Sequence, residues 1–160
     1  MPVRPVPQLS FRSPYDPWRD LSENWPGVTI EIVQMTGDLL GEIRESGTVI
    51  ALRAGTSSGQ RRCTLAHEII HLERGIGDCG LWQLREERQV HIEVARRLIP
   101  AAVLCEAARV SGGAADPRAL ALTLDVDVET LRIRLACLAR TEARAIRRKL
   151  AGSSELWALA

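Results

Sequence analysis

Residues 61–75 read RRCTLAHEIIHLERG, and the spacing inside this stretch governs how the rest of the chain is read. Leu65, Ile69 and Leu72 recur at helical spacing, so a helix is expected from Arg61 to about Arg74, ended by Gly75 and Gly77. The chain has three histidines, and two of them, His67 and His71, stand four residues apart here. Positions i and i+4 lie one turn apart on one helix face, so both imidazoles can reach a single metal ion. Glu68 follows His67 directly and stands beside such an ion, where a base that takes a proton from water belongs. The plain alternative is two surface histidines on an amphipathic helix. The apolar flank Leu65-Ala66 and the bulky Ile69, Ile70 and Leu72 argue against it, because a buried imidazole pair needs a partner and a metal supplies one.

A catalytic zinc site takes three protein ligands and keeps one position open. The next helix, expected from Leu84 to Ile99, carries Glu86, Glu87, His91 and Glu93. Glu87 and His91 share a face at i, i+4, and Val90, Val94 and Leu98 would pack this helix against the first. Spacing alone leaves Glu87, His91, Glu86 and Glu93 open as the third ligand.

On the N-terminal side, Asp16-Pro17 predicts a helix start, with a stop at Pro26-Gly27. VTIEIV (28–33) alternates and is β-branched, so it predicts a strand. LGEIRESGTVIALR predicts two short strands around a turn at Glu45-Ser46-Gly47, followed by a loop, AGTSSGQ. On the C-terminal side, helices are expected after Pro100, from the Asp116 cap, from the Asp127 cap, and from a Thr141 cap to Leu150. The expected class is therefore α+β: a small N-terminal β-sheet, an HExxH helix of zincin type, and a helical C-terminal part. The expected organisation is a proline-rich arm (1–13), a metallopeptidase core (14–110), a helical subdomain (114–150) and a tail (151–160).

Composition narrows the function. Hydrophobic residues make up 46% of the 160, enough for a folded core. Lys+Arg number 21 against 20 Asp+Glu, so net charge supplies no pull toward nucleic acid or an anionic membrane. Aromatics are only 4%, too few for base-stacking platforms. No apolar run approaches a membrane span, and no signal segment opens the chain. Cys63, Cys79, Cys105 and Cys137 form no C-x-x-C pair and are expected as free thiols in the cytoplasm.

RRCTLAHEIIHLERG followed by REERQVHIEVARRLIP resembles the ImmA/IrrE family of metallo-endopeptidases, which pairs HExxH with a later E-x-E-A-N-x-F-A-x-x-L-L-x-P helix. YDPWRDL and the helical C-terminus are similar to a compact, largely actinobacterial and phage-borne branch, so the resemblance runs from about Tyr15 to Leu150. It implies one zinc ion on His67 and His71, catalysis by Glu68 and, counting back from Pro100, Glu87 as third ligand. Gln89 stands in place of the second glutamate, His91 at the Asn position and Glu93 at the Phe position. Nitrogen ligands and a carboxylate suit zinc. The oxyanion of peptide hydrolysis needs a further donor, and His91 stands ahead of Tyr15 for that role. The resemblance also implies regulatory cleavage of a partner helix-turn-helix repressor, in a phage or mobile element. The rival readings are a metal-containing binding module that regulates a repressor or DNA without proteolysis, and one half of a toxin–antitoxin or immunity pair.

LALTLDVDVETLRIRL resembles the middle of a helix-turn-helix. Its turn and second helix open with Asp125, Asp127 and Glu129, which would repel phosphates, whereas Arg144, Arg147, Arg148 and Lys149 make a basic stripe further on. The C-terminal helices are therefore expected to meet a protein and not DNA.

Overall fold

Local chemistry sets most element ends in the computed structural model, which describes residues 13–75, 83–110 and 116–149. Helix α1 (Pro17–Asn24) starts where the Asp16 carboxylate accepts from the Trp18 N–H, with Pro17 at the first position. Strands β1 (Thr29–Val33), β2 (Gly41–Arg44) and β3 (Val49–Arg53) follow. The turn between β2 and β3 falls at Glu45–Gly47, and all three of its residues have positive φ. Helices α2 (Ser58–Arg74), α3 (Gln83–Leu98), α4 (Ala101–Val110), α5 (Pro117–Leu124), α6 (Val128–Ala136) and α7 (Arg140–Lys149) complete the α+β fold. Asp116 and Asp127 cap α5 and α6 through the N–H groups of Arg118 and Thr130.

Two helix starts differ from expectation. Helix α2 begins at Ser58 because Ser57 and Gln60 form a reciprocal capping box, so the end of the expected loop is helical. Helix α7 begins at Arg140, and Thr141 lies inside it. The Glu142 carboxylate, three residues in, accepts from the Ala139 N–H and does the capping instead. Cys63, Cys105 and Cys137 are free thiols, as expected; Cys79 lies outside the described residues.

Strand β3 is central, parallel to β1 and antiparallel to β2. Its run Val49 to Leu52 is wholly buried, as befits a strand with neighbours on both sides. Helix α2 then packs on three faces, one residue apart in sequence. Leu65 and Ile69 join Ile50 and Leu52 in a cluster under the sheet. Ala66 and Ile70 join Val90, Val94 and Leu98 of α3 in the main core. The third face carries His67 and His71. Each pair is i, i+4, so a rotation of about 100° per residue separates apolar support from chemistry.

The C-terminal helices share that main core, through residues such as Leu104, Leu120, Leu131 and Ile146. Two buried arginines tie them in. Arg62 of α2 donates to the carbonyls of Leu124, Asp125 and Tyr15, at 3.1–3.2 Å. These include the last carbonyls of α5, which have no partner within the helix. Arg134 of α6 donates to the Ile99 carbonyl at 2.7 Å and to the Glu142 carboxylate. Gly59 permits a close backbone approach between α2 and the α5–α6 turn: a Cβ there would stand 2.8 Å from the carbonyl carbon and oxygen of Val126.

Candidate active site

Helix α2 holds the His67 and His71 rings with centroids 4.7 Å apart and their Nε2 atoms 3.0 Å apart. Helix α3 brings Glu87 over both. Its Oε2 lies 3.3 Å from His67 Nε2 and its Oε1 3.2 Å from His71 Nε2. Ligand atoms 2.0–2.2 Å from one tetrahedral ion stand about 3.3 Å from each other. Each histidine thus meets a different oxygen of the same Glu87 carboxylate at about that spacing, and imidazoles with a carboxylate are donors able to hold a metal ion. Burial, then the neighbouring His91 and His71, pushes the pKa of His67 down to about 3. The ring is thus neutral at physiological pH and keeps a lone pair to offer.

His91 is the neighbour on the exposed side, its ring 4.8 Å from that of His67. A second triplet, His67, Glu87 and His91, has donor atoms within 4.8 Å of one another. Its third member, His91, is exposed, whereas His67 and Glu87 are half-buried. Glu93, another sequence candidate, is engaged elsewhere. Burial raises its pKa, but hydrogen bonds from Arg74 and Arg97 outweigh this and lower it. Arg97 also donates both its terminal nitrogens to Glu73, so the acid at the expected Phe position belongs to an ion-pair network between α2 and α3. Glu86 does not line the groove that contains Glu87 and His91.

Glu68 is the one acid of α2 that is buried, at 7% exposure. Burial, then the charges of Glu87 and Glu42, pushes its pKa up to about 7. Strand β2 lies directly against it: a Cβ on Gly41 would overlap Thr64 Cγ2 and stand 3.3 Å from Glu68 Oε1. Gly41 thus lets the sheet edge meet the helix at the carboxylate.

Above these residues runs a groove of about 830 Å³. His67, Glu68, Glu87 and His91 line it together with the connection into β2 and residues of α5 and α6. Tyr15, the weaker sequence candidate for an oxyanion donor, is not among its lining residues. It packs against the main core in a separate recess, with the Arg97 guanidinium 5.7 Å from its ring. Sequence reasoning missed Gly41, Thr64 and the contribution of α5 and α6 to the groove. A lone glycine opening a strand was the only local signal, and it does not say what approaches.

Residues 27–136 match the family described as Peptidase_M78, the IrrE N-terminal-like domain. The chain belongs to this family. The match bears out the ImmA/IrrE resemblance and spans the sheet and helices α2 to α6, so it includes both elements of the His–Glu cluster and the α5–α6 wall of the groove. No curated protein and no solved structure matches the chain. Membership places this Peptidase_M78 protein among metallopeptidase-type proteins, whose substrates are proteins. Among the described residues, a His–Glu–His cluster is able to hold a metal ion, and no helix is long and apolar enough to cross a membrane.

Proposed function

We propose that this chain is a zinc-dependent endopeptidase of narrow specificity, which acts in the cytoplasm on a helix-turn-helix transcriptional repressor. The observation that carries the reading is the buried Glu68 carboxyl beside the converging His67, His71 and Glu87 side chains, with Glu68, His67 and Glu87 lining an open groove. A purely structural metal site has no use for a proton-exchanging acid next to its first ligand.

His67, His71 and Glu87 would hold the zinc ion, which would supply a Lewis acid to polarise a scissile carbonyl and acidify water. Glu68, whose carboxyl is buried beside these donors, takes a proton from the attacking water and passes it to the departing amine. The two transfers return Glu68 to its starting state. Its burial keeps bulk water from competing for that proton. His91, exposed at the rim beside His67, offers an N–H to the carbonyl oxygen as charge builds on it. The groove holds an extended segment of the substrate across these groups. The repressor assignment rests on the family resemblance.

The test is Glu68→Gln. Purified variant and parent should carry equal zinc, about one per chain, while only the parent fragments a co-expressed repressor. Equal fragmentation by both would remove Glu68 as the base. A parent that holds zinc and binds the repressor without cutting it would favour the binding-module reading.

A further inference from the structure

Large apolar side chains are buried through most of this molecule, and two of the exceptions line the same groove. Leu122 on α5 is 81% exposed, and Leu39, on the connection into β2, is 46% exposed. A single exposed leucine is ordinary. Here Leu122 joins the half-buried Val128 and Ile133, backed by the buried Ala121 and Val126, and all of these line the groove that has His67 and Glu68 in its floor. The charged groups of that wall balance: Arg118 and Arg132 against Asp127 and Glu129. Asp127 caps α6 through the Thr130 N–H, and Arg132 pairs with Glu129 at 3.7 Å. The wall therefore presents apolar surface without a net charge to select a charged partner.

The helix pair is also turned in an informative way. The first turns of α6, the segment a DNA reader would lay against base edges, border the groove through Val128, Glu129 and Arg132. Gly59 and Arg62 hold the α5–α6 turn against α2, five to eight residues ahead of His67, so wall and floor are set in one rigid relation.

We propose that α5 and α6 select the substrate: they seat a large aliphatic or aromatic side chain of an extended protein segment against Leu122, beside the bond presented to Glu68. This rests on the endopeptidase reading for the bond that is cut, but the seat itself is a binding property and can be read without turnover. Discrimination by an apolar pocket is modest per methylene, roughly 10–200-fold, so a leucine at the seated position should be favoured over alanine by at least about tenfold.

The experiment uses the full chain loaded with zinc and a set of internally quenched peptides. One position at a time beside the cut bond is varied among Leu, Phe, Ala, Asp and Lys. One position should show the Leu/Phe preference in kcat/KM, and Leu122→Asp should collapse it, mainly by raising KM for the Leu and Phe peptides. Leu84→Asp, at an 86% exposed leucine outside the groove, should leave it intact. In parallel, anisotropy measures binding of the same labelled peptides to Glu68→Gln and to Glu68→Gln/Leu122→Asp. Equal Leu-to-Ala ratios before and after Leu122→Asp, in both cleavage and binding, would overturn the seat while leaving the peptidase reading standing. Leu122-dependent binding without any cleavage by the parent would keep the seat and remove the peptidase. Neither binding nor cleavage would overturn both.

Discussion

Replacing Gly41 with alanine probes the contact on which the Glu68 environment depends. The φ of Gly41 is not in the left-handed region, so alanine meets no backbone strain and the effect is purely steric. Its methyl would overlap Thr64 Cγ2, well inside the roughly 3.5–4.0 Å at which carbon atoms touch. Thr64 cannot turn aside freely, because its hydroxyl donates to the Gln60 carbonyl at 2.8 Å. Strand β2 cannot retreat without loosening the Gly41–Leu52 and Glu42–Ala51 pairs with β3. Overpacking of this kind costs about 1–3 kcal/mol. The same methyl presses toward Glu68 Oε1 from 3.3 Å, and a misplacement of about 1 Å at a reacting group lowers rate by up to about 10²-fold. Urea unfolding and peptide cleavage should therefore both register Gly41→Ala. Thr64→Ser removes the offending methyl and keeps the hydroxyl, so Gly41→Ala/Thr64→Ser should recover most of the stability. A double-mutant cycle should then give a coupling of about 1 kcal/mol or more. Unchanged stability in Gly41→Ala, or zero coupling with Thr64→Ser, would show that β2 does not bear on α2 at this point.

Glu87→Gln should lower zinc affinity more than His91→Ala, measured by competition with a chromophoric chelator; the reverse order would move the third ligand to His91. In metal-free protein, Glu68 has a folded pKa near 7 against an ordinary 4.5, so folding is favoured most below pH 4.5 and loses ground as pH rises to about 7. Glu68→Gln should accordingly gain stability over the parent across that window, reaching about 3 kcal/mol above it, and a pH-independent difference in urea midpoints would refute the assigned burial. Gly59→Ala should cost more than a surface Gly→Ala, because Val126 backbone and not a movable side chain lies 2.8 Å away. Hydrogen exchange should show α5 and α6 losing protection first, and uniform loss throughout the chain would contradict that local origin.

Much of the site was legible because it is local. His67 and His71 share a face through helix geometry alone, and no distant contact is needed to put them there. The caps at Asp16, Asp116 and Asp127 were legible for the same reason, since each acts on an N–H two or three residues away. Even the turn at Glu45–Gly47 is a short-range matter. The helix starts that were misplaced, at α2 and α7, were capped by residues inside or beside the helix whose competing options the pattern does not rank.

What required the tertiary structure is everything that depends on which distant segments meet. Spacing gives four acidic or imidazole candidates on α3; the packing of Val90, Val94 and Leu98 on Ala66 and Ile70 turns Glu87 toward both histidines, sets His91 beside His67 and turns Glu93 toward Arg74 and Arg97. Glu68 is an ordinary acid in the sequence; the approach of β2 at Gly41 buries it and moves its pKa. Nothing local marks Arg62 and Arg134 for burial, yet both are buried, each donating to carbonyls far along the chain. Helix periodicity determines which residues share a face, whereas the partner of that face is chosen by long-range packing, where desolvation and close contact are settled together.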